Sequence, residues 1–362
     1  MKKKLSLIVA LLLVMSLFAG CKSNLPKDNK PADEGTTPTE QPADNDGNQQ
    51  PAAEGSLKTG LAVITGTGSS KDAGDEDGLG QVDSTIVALT LDQDGKIVSC
   101  VIDNAQTKMK FSKEGKLVTD INTTFKTKKE LGAEYGMAKA SSIGKEWNEQ
   151  ADAFAAFVVG KTVDEVKGIA VTEEGAPSDT DLAASVTVSV GGFISGIEKA
   201  AANAQDLGAQ AGDKLGLGVS TNMSKSKEAA DGNDGLVQAY STYTALTVGA
   251  DGKITSCIID ASQGGINFDG TGKITSDLAA AVQTKNELGD AYGMKSQSSI
   301  GKEWNEEAAA YAQYVTGKTL EEVKGIAVTE EGAPSDADLA ASVTIGIGEF
   351  NTIIEKAVST AK

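Results

Sequence analysis

Histidine is absent from this 362-residue chain, and so is arginine, which leaves lysine as all 33 basic residues. Histidine is the commonest metal ligand and the side chain that titrates near neutral pH. Its absence excludes a Ser-His-Asp triad, a His-ligated haem and the usual catalytic zinc site. Cysteine is scarce: Cys21, Cys100 and Cys257 are the three. The last two each lie alone in a strand-like run. That excludes a disulfide within one half of the chain and an iron–sulfur cluster, and each is expected to be a small buried apolar residue. Aromatic residues make up 4% of the chain, so a tryptophan on an apolar helix face belongs first of all to a core. Positive charge is also short. The net charge of −18 argues against a nucleic-acid partner, which needs a basic surface. The acidic runs at 72–77 and 231–234 miss the EF-hand spacing, so no metal site is expected there.

What is present is written twice. The segment at 141–149, Ser-Ser-Ile-Gly-Lys-Glu-Trp-Asn-Glu, recurs at 298–306. The segment at 168–179 recurs at 325–336, and Asp-Leu-Ala-Ala-Ser-Val-Thr at 181–187 recurs at 338–344. The offset is 157 residues each time. That is too long for a solenoid repeat and fits a tandem domain. Residues 57–205 and 214–362 are the expected repeats, each able to fold alone, with 206–213 as the linker. A functional site in one should have a twin in the other.

Ahead of the repeats, Met1-Lys2-Lys3-Lys4 is a positive segment, residues 5–18 are apolar, and Ala19-Gly20 precede Cys21. The apolar run is short for a membrane span and reads as a cleaved signal. It resembles a bacterial lipoprotein signal, with Phe18 where leucine is usual. The resemblance implies that residues 1–20 are removed and that Cys21 carries the lipid. Residues 21–56 are rich in Pro, Asp, Asn, Gln and Gly, cannot bury a core, and read as a disordered acidic tether. The folded part is then expected on the extracellular face of the cell membrane, held by its anchor.

Each repeat reads as a hairpin followed by helices, an α+β pattern. Residues 85–91 and 97–102 are strand formers around the turn Asp92-Gln93-Asp94-Gly95, and 242–248 and 254–259 repeat the arrangement. Apolar runs at 61–65 and 217–220 add a strand each. A helix over 145–158 places Trp147, Ala151, Phe154, Ala155 and Val158 on one face. Thr162 to Glu165 and Thr319 to Glu322 are capping boxes. Ser178 is expected to cap a helical turn over 181–184. Residues 186–190 are expected as a short strand, and 193–202 as a closing helix.

The segment from Asp181 to Thr187, followed by a helix, resembles the end of the FMN-binding domains that carry covalent flavin. In that family a transferase joins the FMN phosphate to the final Thr or Ser of an Asp-x-x-(Ser/Thr)-Gly-Ala-(Thr/Ser) pattern. The Asp-to-Thr spacing matches in both repeats. Ala184, Ser185 and Val186 depart from the interior of the pattern. The resemblance implies Thr187 and Thr344 as acceptors, with Asp181 and Asp338 opening the motif, and leaves Ser185 and Ser342 as alternative acceptors. Trp147 and Trp304, with Tyr135 and Tyr292, are candidates to stack on the flavin ring. Ser141, Ser298, Lys145 and Lys302 are weaker candidates for its phosphate. The layout of lipoprotein signal, acidic tether and two repeats, with the run from Tyr135 to Trp147, resembles the extracellular electron-transfer flavolipoproteins of Gram-positive bacteria. In some of these the signal peptide also yields a pheromone. The resemblance implies an electron carrier rather than an enzyme with its own substrate. Its partners would be a flavin transferase, a membrane dehydrogenase or quinol as electron donor, and an extracellular acceptor. A duplicated envelope-binding module without redox role, and a lipoprotein whose signal peptide is the active product, are the other two readings.

Overall fold

The computed structural model describes residues 55–362. The signal segment, the lipidation candidate Cys21 and nearly all of the tether lie outside the described residues. The architecture is α+β, with two antiparallel sheets and helices against each.

Strands β1 (Ser56–Gly66), β2 (Gly78–Leu91) and β3 (Ile97–Phe111) open the first half. β4 (Thr124–Phe125) and the helices α1 (Lys128–Leu131), α2 (Trp147–Val158), α3 (Val163–Lys167), α4 (Thr180–Ala183) and α5 (Gly191–Ala202) follow. β5 (Gln205–Gln210) leads into β6 (Lys214–Asn222), β7 (Gly235–Val248) and β8 (Ile254–Phe268). The second half closes with α6 (Lys285–Leu288), α7 (Trp304–Val315), α8 (Leu320–Lys324), α9 (Ala337–Ala340) and α10 (Gly348–Thr360). Short 3₁₀ turns follow α1 and α6. The sheets run β3-β2-β1-β5 and β4-β6-β7-β8. The turn between β2 and β3 closes as its sequence demands. Gly95 takes φ +75°, and Asp92 accepts from the amides of Asp94 and Lys96.

Side chains alternate across a strand, yet β2 is continuously apolar from Ile86 to Leu89 because both of its faces are covered there. In β2, Val87 and Leu89 face the helices, packed with Phe154, Val158 and Ile197. Ile86 and Ala88 face the other sheet, packed with Leu215, Leu217 and Tyr243. All four β2 residues are fully buried. The order is therefore helices, sheet, sheet, helices. Tyr243 ties the sheets with a hydroxyl 2.8 Å from Ser262 Oγ that donates to Ser84 Oγ at 3.4 Å. Phe111 and Phe268, 157 positions apart, stack at 4.2 Å with their planes 10° apart.

The halves also exchange contacts reciprocally. β4 of the first half pairs with β6, and Val282 of the second bridges to Thr65 of β1. Ala73 N donates to Gly272 O and Ala229 N to Gly115 O. Lys199 reaches Glu287 at 2.5 Å and Lys356 reaches Glu130 at 2.7 Å. These ion pairs are about one-third exposed and are worth at most about 1 kcal/mol each. The shared apolar core dominates. It departs from the expectation that each repeat folds alone, because inward faces of β1, β2, β6 and β7 would lose their cover.

Other expectations are also corrected. Residues 206–213 are more than a linker, since Gln205–Gln210 is a strand on the β1 edge. Asp179, not Ser178, caps α4. Residues 186–190 form a loop, not a strand. The Thr162 and Thr319 capping boxes are present in full. α2 buries the apolar face read from its sequence, with Gln150 added to it.

Close approach explains two glycines. A Cβ on Gly60 would lie 2.1 Å from Ala200 O, and one on Gly216 would lie 2.0 Å from Ala357 O. The last helix of each half can lie on its first strand only because these positions lack side chains.

Candidate functional site

The loop between α4 and α5 holds Thr187, and the loop between α9 and α10 holds Thr344. Val186 and Val190 are fully buried on either side of Thr187, as are Val343 and Ile347 around Thr344. These anchors keep the threonine half-buried at the surface of the core. The alternation of valine, which suggested a strand, serves instead to pin a loop.

Gln150, fully buried on α2, organises this loop. Its Oε1 accepts from Thr187 N at 2.8 Å, Thr187 Oγ1 at 3.1 Å and Val188 N at 3.2 Å. Its Nε2 donates to Ser141 Oγ at 3.2 Å and Lys145 O at 3.1 Å. In the second half the same place is held by Glu307, also fully buried. Glu307 Oε2 accepts from Thr344 N at 2.7 Å and Ile345 N at 3.1 Å. Its Oε1 accepts from Thr344 Oγ1 at 3.1 Å and from Ser298 Oγ at 3.0 Å. A carboxylate thus stands where the first half has an amide. Buried charge needs such saturation by donors. Neither residue was singled out from the sequence. The available signal was a polar residue on an otherwise apolar helix face.

The other motif residues divide between surface and core. Asp181 and Asp338 are exposed in the first turns of α4 and α9. The neighbouring Asp179 and Asp336 cap those helices, each accepting from the leucine amide at 3.0 Å. Ser185 and Ser342 are half-buried, two residues before the threonines. Their amides donate to Leu182 O and Leu339 O. α5 begins four residues beyond Thr187 without a side-chain cap, and α10 begins likewise after Thr344. A Cβ on Gly191 or Gly348 would meet open space. Uncapped N–H groups at an open helix start suit a phosphate.

Trp147 and Trp304 are core residues, 5% and 4% exposed. Each meets a phenylalanine of the last helix edge-on, Phe193 at 5.8 Å and Phe350 at 5.7 Å. Lys128 Nζ lies over the rings of Tyr135 and Trp147. In the second half Lys285 Nζ lies 4.8, 4.4 and 4.6 Å from the ring centres of Tyr240, Tyr292 and Trp304. It also donates to Tyr240 Oη at 2.9 Å. Burial pulls this ammonium down to about 8, against the opposing pull of Asp260. The candidate stacking faces are thus already covered by lysine. The run from Tyr135 to Trp147 is tied together by Glu146, the N-cap of α2, which accepts from Met137 N at 2.8 Å. Ser141 supports Gln150, and Lys145 does so through its carbonyl.

Asp103 and Asp260 hold the starts of α1 and α6. Their Oδ1 atoms accept from Lys129 N and Asn286 N, both at 3.1 Å. Burial pushes both carboxyl groups up to about 6. The Cys100 and Cys257 thiols are free; Cys257 is buried as expected whereas Cys100 is only half-buried, and desolvation pushes both up to about 12. Among the described residues no cluster of three or more acidic or thiol groups is placed to hold a metal. No helix among them is long and apolar enough to cross a membrane.

No protein-family model matches the chain, and no solved structure matches it. A 42-residue stretch is 52% identical to a chlorophenol reductase of Desulfitobacterium hafniense. The match covers 12% of this chain and 13% of that protein. The likeness is confined to that stretch.

Proposed function

We propose that this chain is a lipid-anchored flavoprotein of the extracellular membrane face, made of two tandem copies of one hairpin-plus-helices domain. Each copy bears FMN in phosphoester linkage to Thr187 or Thr344, and the protein relays electrons from a membrane dehydrogenase or quinol to extracellular acceptors. The observation that carries the reading is the duplicated threonine site. In both halves the hydroxyl of a half-buried threonine donates to a fully buried side chain from the preceding long helix, just ahead of an uncapped helix start.

The residues present fit such a group. Thr187 and Thr344 supply the acceptor oxygen. The opening amides of α5 and α10 offer donors to a phosphodiester, which matters in a chain without arginine. Gln150 and Glu307 hold the loop in place whether or not the hydroxyl is esterified, because they keep the amide bonds. A bound flavin supplies reversible one- and two-electron chemistry that no side chain here can perform. The chain's own contribution is to position the acceptor and shield one side of the site with Val186, Val190 and their counterparts. A covalent link also prevents loss by dilution outside the cell.

The test is made on protein purified from a host with a flavin transferase. The visible flavin absorbance should survive denaturation, fall by half in Thr187→Ala or Thr344→Ala, and vanish in the double variant. Absorbance that washes away on denaturation would refute covalent attachment. Retention in the double threonine variant, with loss on replacing Ser185 and Ser342, would move the acceptor by two residues.

A further inference from the structure

The two threonine sites are built alike and differ in one buried group. Thr187 matches Thr344 and Ser141 matches Ser298, each pair 157 positions apart. At the same offset Gln150 of α2 is matched by Glu307 of α7, and both are fully buried. Their backbone task is the same. One side-chain oxygen takes two loop amides, from Thr187 and Val188 or from Thr344 and Ile345. Glutamine alone meets that need in the first half. Glutamate adds a second oxygen that has no amide to accept. This atom, Oε1, accepts from the hydroxyls of Thr344 at 3.1 Å and Ser298 at 3.0 Å. Thr344 Oγ1 is also 3.1 Å from Oε2, so it faces the whole carboxylate. The serine has reversed its role to match. Ser141 Oγ accepts from Gln150 Nε2, whereas Ser298 Oγ donates to Glu307.

The exchange changes what the threonine can do. A hydroxyl is a weak nucleophile until a neighbouring base takes its proton. Such a base must lie about 2.6–3.2 Å from the atom that gives the proton up. Both sites meet the distance. Only the carboxylate can also hold the proton, since an amide oxygen accepts a hydrogen bond and no more. A carboxylate takes the proton of the attacking hydroxyl in the same way in kinases.

We propose that Glu307 is the general base for flavin attachment at Thr344, whereas Thr187 faces an amide that cannot take its proton. The inference rests on the covalent-flavin reading and adds to it an order of attachment. The donor must carry an activated phosphate, because FMN alone would have to expel an oxide ion. FMN joined to a nucleotide through a phosphoric anhydride, a flavin dinucleotide, meets this need. The bond from Thr344 Oγ1 to the FMN phosphorus forms as the phosphorus–oxygen bond to the nucleotide breaks. The electron pair of the broken bond leaves with the nucleoside monophosphate, and the hydroxyl proton passes to Glu307. No atom changes oxidation state.

The full chain is made in a host without a flavin transferase, then incubated with a flavin transferase and flavin adenine dinucleotide. Samples taken over time are digested, and the fraction of each threonine peptide carrying FMN is followed by mass spectrometry. A positioned base contributes roughly 10²–10⁴-fold, so Thr344 should fill at least about ten times faster than Thr187, with both reaching completion. Glu307→Gln should bring Thr344 down to the rate of Thr187 and leave Thr187 unchanged. The glutamine is the side chain that already holds this loop in the first half. Gln150→Glu should speed Thr187, a gain that a merely structural role for the carboxylate would not produce. Equal rates at the two threonines of the unaltered chain would overturn the proposal. So would a Glu307→Gln chain in which Thr344 keeps its lead, or a folded Gln150→Glu chain in which Thr187 is no faster. FMN on neither peptide would refute the flavin reading itself, and this inference with it.

Discussion

Replacing Phe111 with alanine tests whether the two halves form one cooperative unit. Phe111 is fully buried and stacks on Phe268 across the junction. It also presses on its own sheet, since a Cβ on Gly78 would lie 2.3 Å from the ring. Truncating a buried phenylalanine costs about 3–5 kcal/mol, a large share of the roughly 5–15 kcal/mol by which a domain is stable. The stacked pair adds about 0.5–1.5 kcal/mol of coupling beyond area. Urea unfolding followed by tryptophan fluorescence reports on both halves, since Trp147 lies in the first and Trp304 in the second. The Phe111→Ala chain should unfold in one transition, with its midpoint lowered for both tryptophans. The double-variant cycle with Phe268→Ala should return the coupling. The fragment 214–362 alone should lack a cooperative transition. A Phe111→Ala loss under about 1 kcal/mol, a first half that melts while Trp304 stays native, or a well-folded fragment would refute the shared core.

Other outcomes follow from the buried polar groups and the N-terminus. Asp103 and Asp260 are pushed up to about 6, so the folded state binds their protons more tightly than the unfolded state. That contribution is present below about pH 4 and lost as pH rises through about 6, up to about 3 kcal/mol per group. Asp103→Asn should therefore gain stability relative to the unaltered chain as pH rises from 4 to 7 in parallel urea titrations; a constant difference would contradict the assignment. Glu307→Gln installs the side chain of the first half and removes a buried charge, so stability at pH 7 should hold or rise; a loss above about 2 kcal/mol would show that the carboxylate is needed for the loop. Cys21→Ala should release the protein into the medium or leave its signal uncleaved, and cleaved protein retained in the membrane fraction would contradict the lipid anchor.

Local rules made much of each half legible. The Asp-Gly turns, the capping boxes at Thr162 and Thr319, and the buried face of α2 all follow from short-range sequence. The junction was hidden because its partners are distant in sequence. β4 pairs with β6, and β5 pairs with β1 through residues that are mostly polar. The apolar runs in β2 and β7 recorded burial on both faces without naming what covered the second. Residues 186–190 alternate like a strand, yet Gln150 supplies their amide partner, so tertiary context outweighed β propensity. At the candidate site the threonines were singled out by the resemblance of their motif alone. The amide-for-carboxylate exchange at Gln150 and Glu307 was not, because a polar residue within a helix reads as surface until its partners are seen.

The central claim is two flavins, one on each half. Intact-mass measurement of the protein from its native host tests it most directly. The account predicts two additions, each equal to FMN less one water, that persist under denaturing conditions and map to the peptides holding Thr187 and Thr344. A chain with no added mass at either peptide would contradict it.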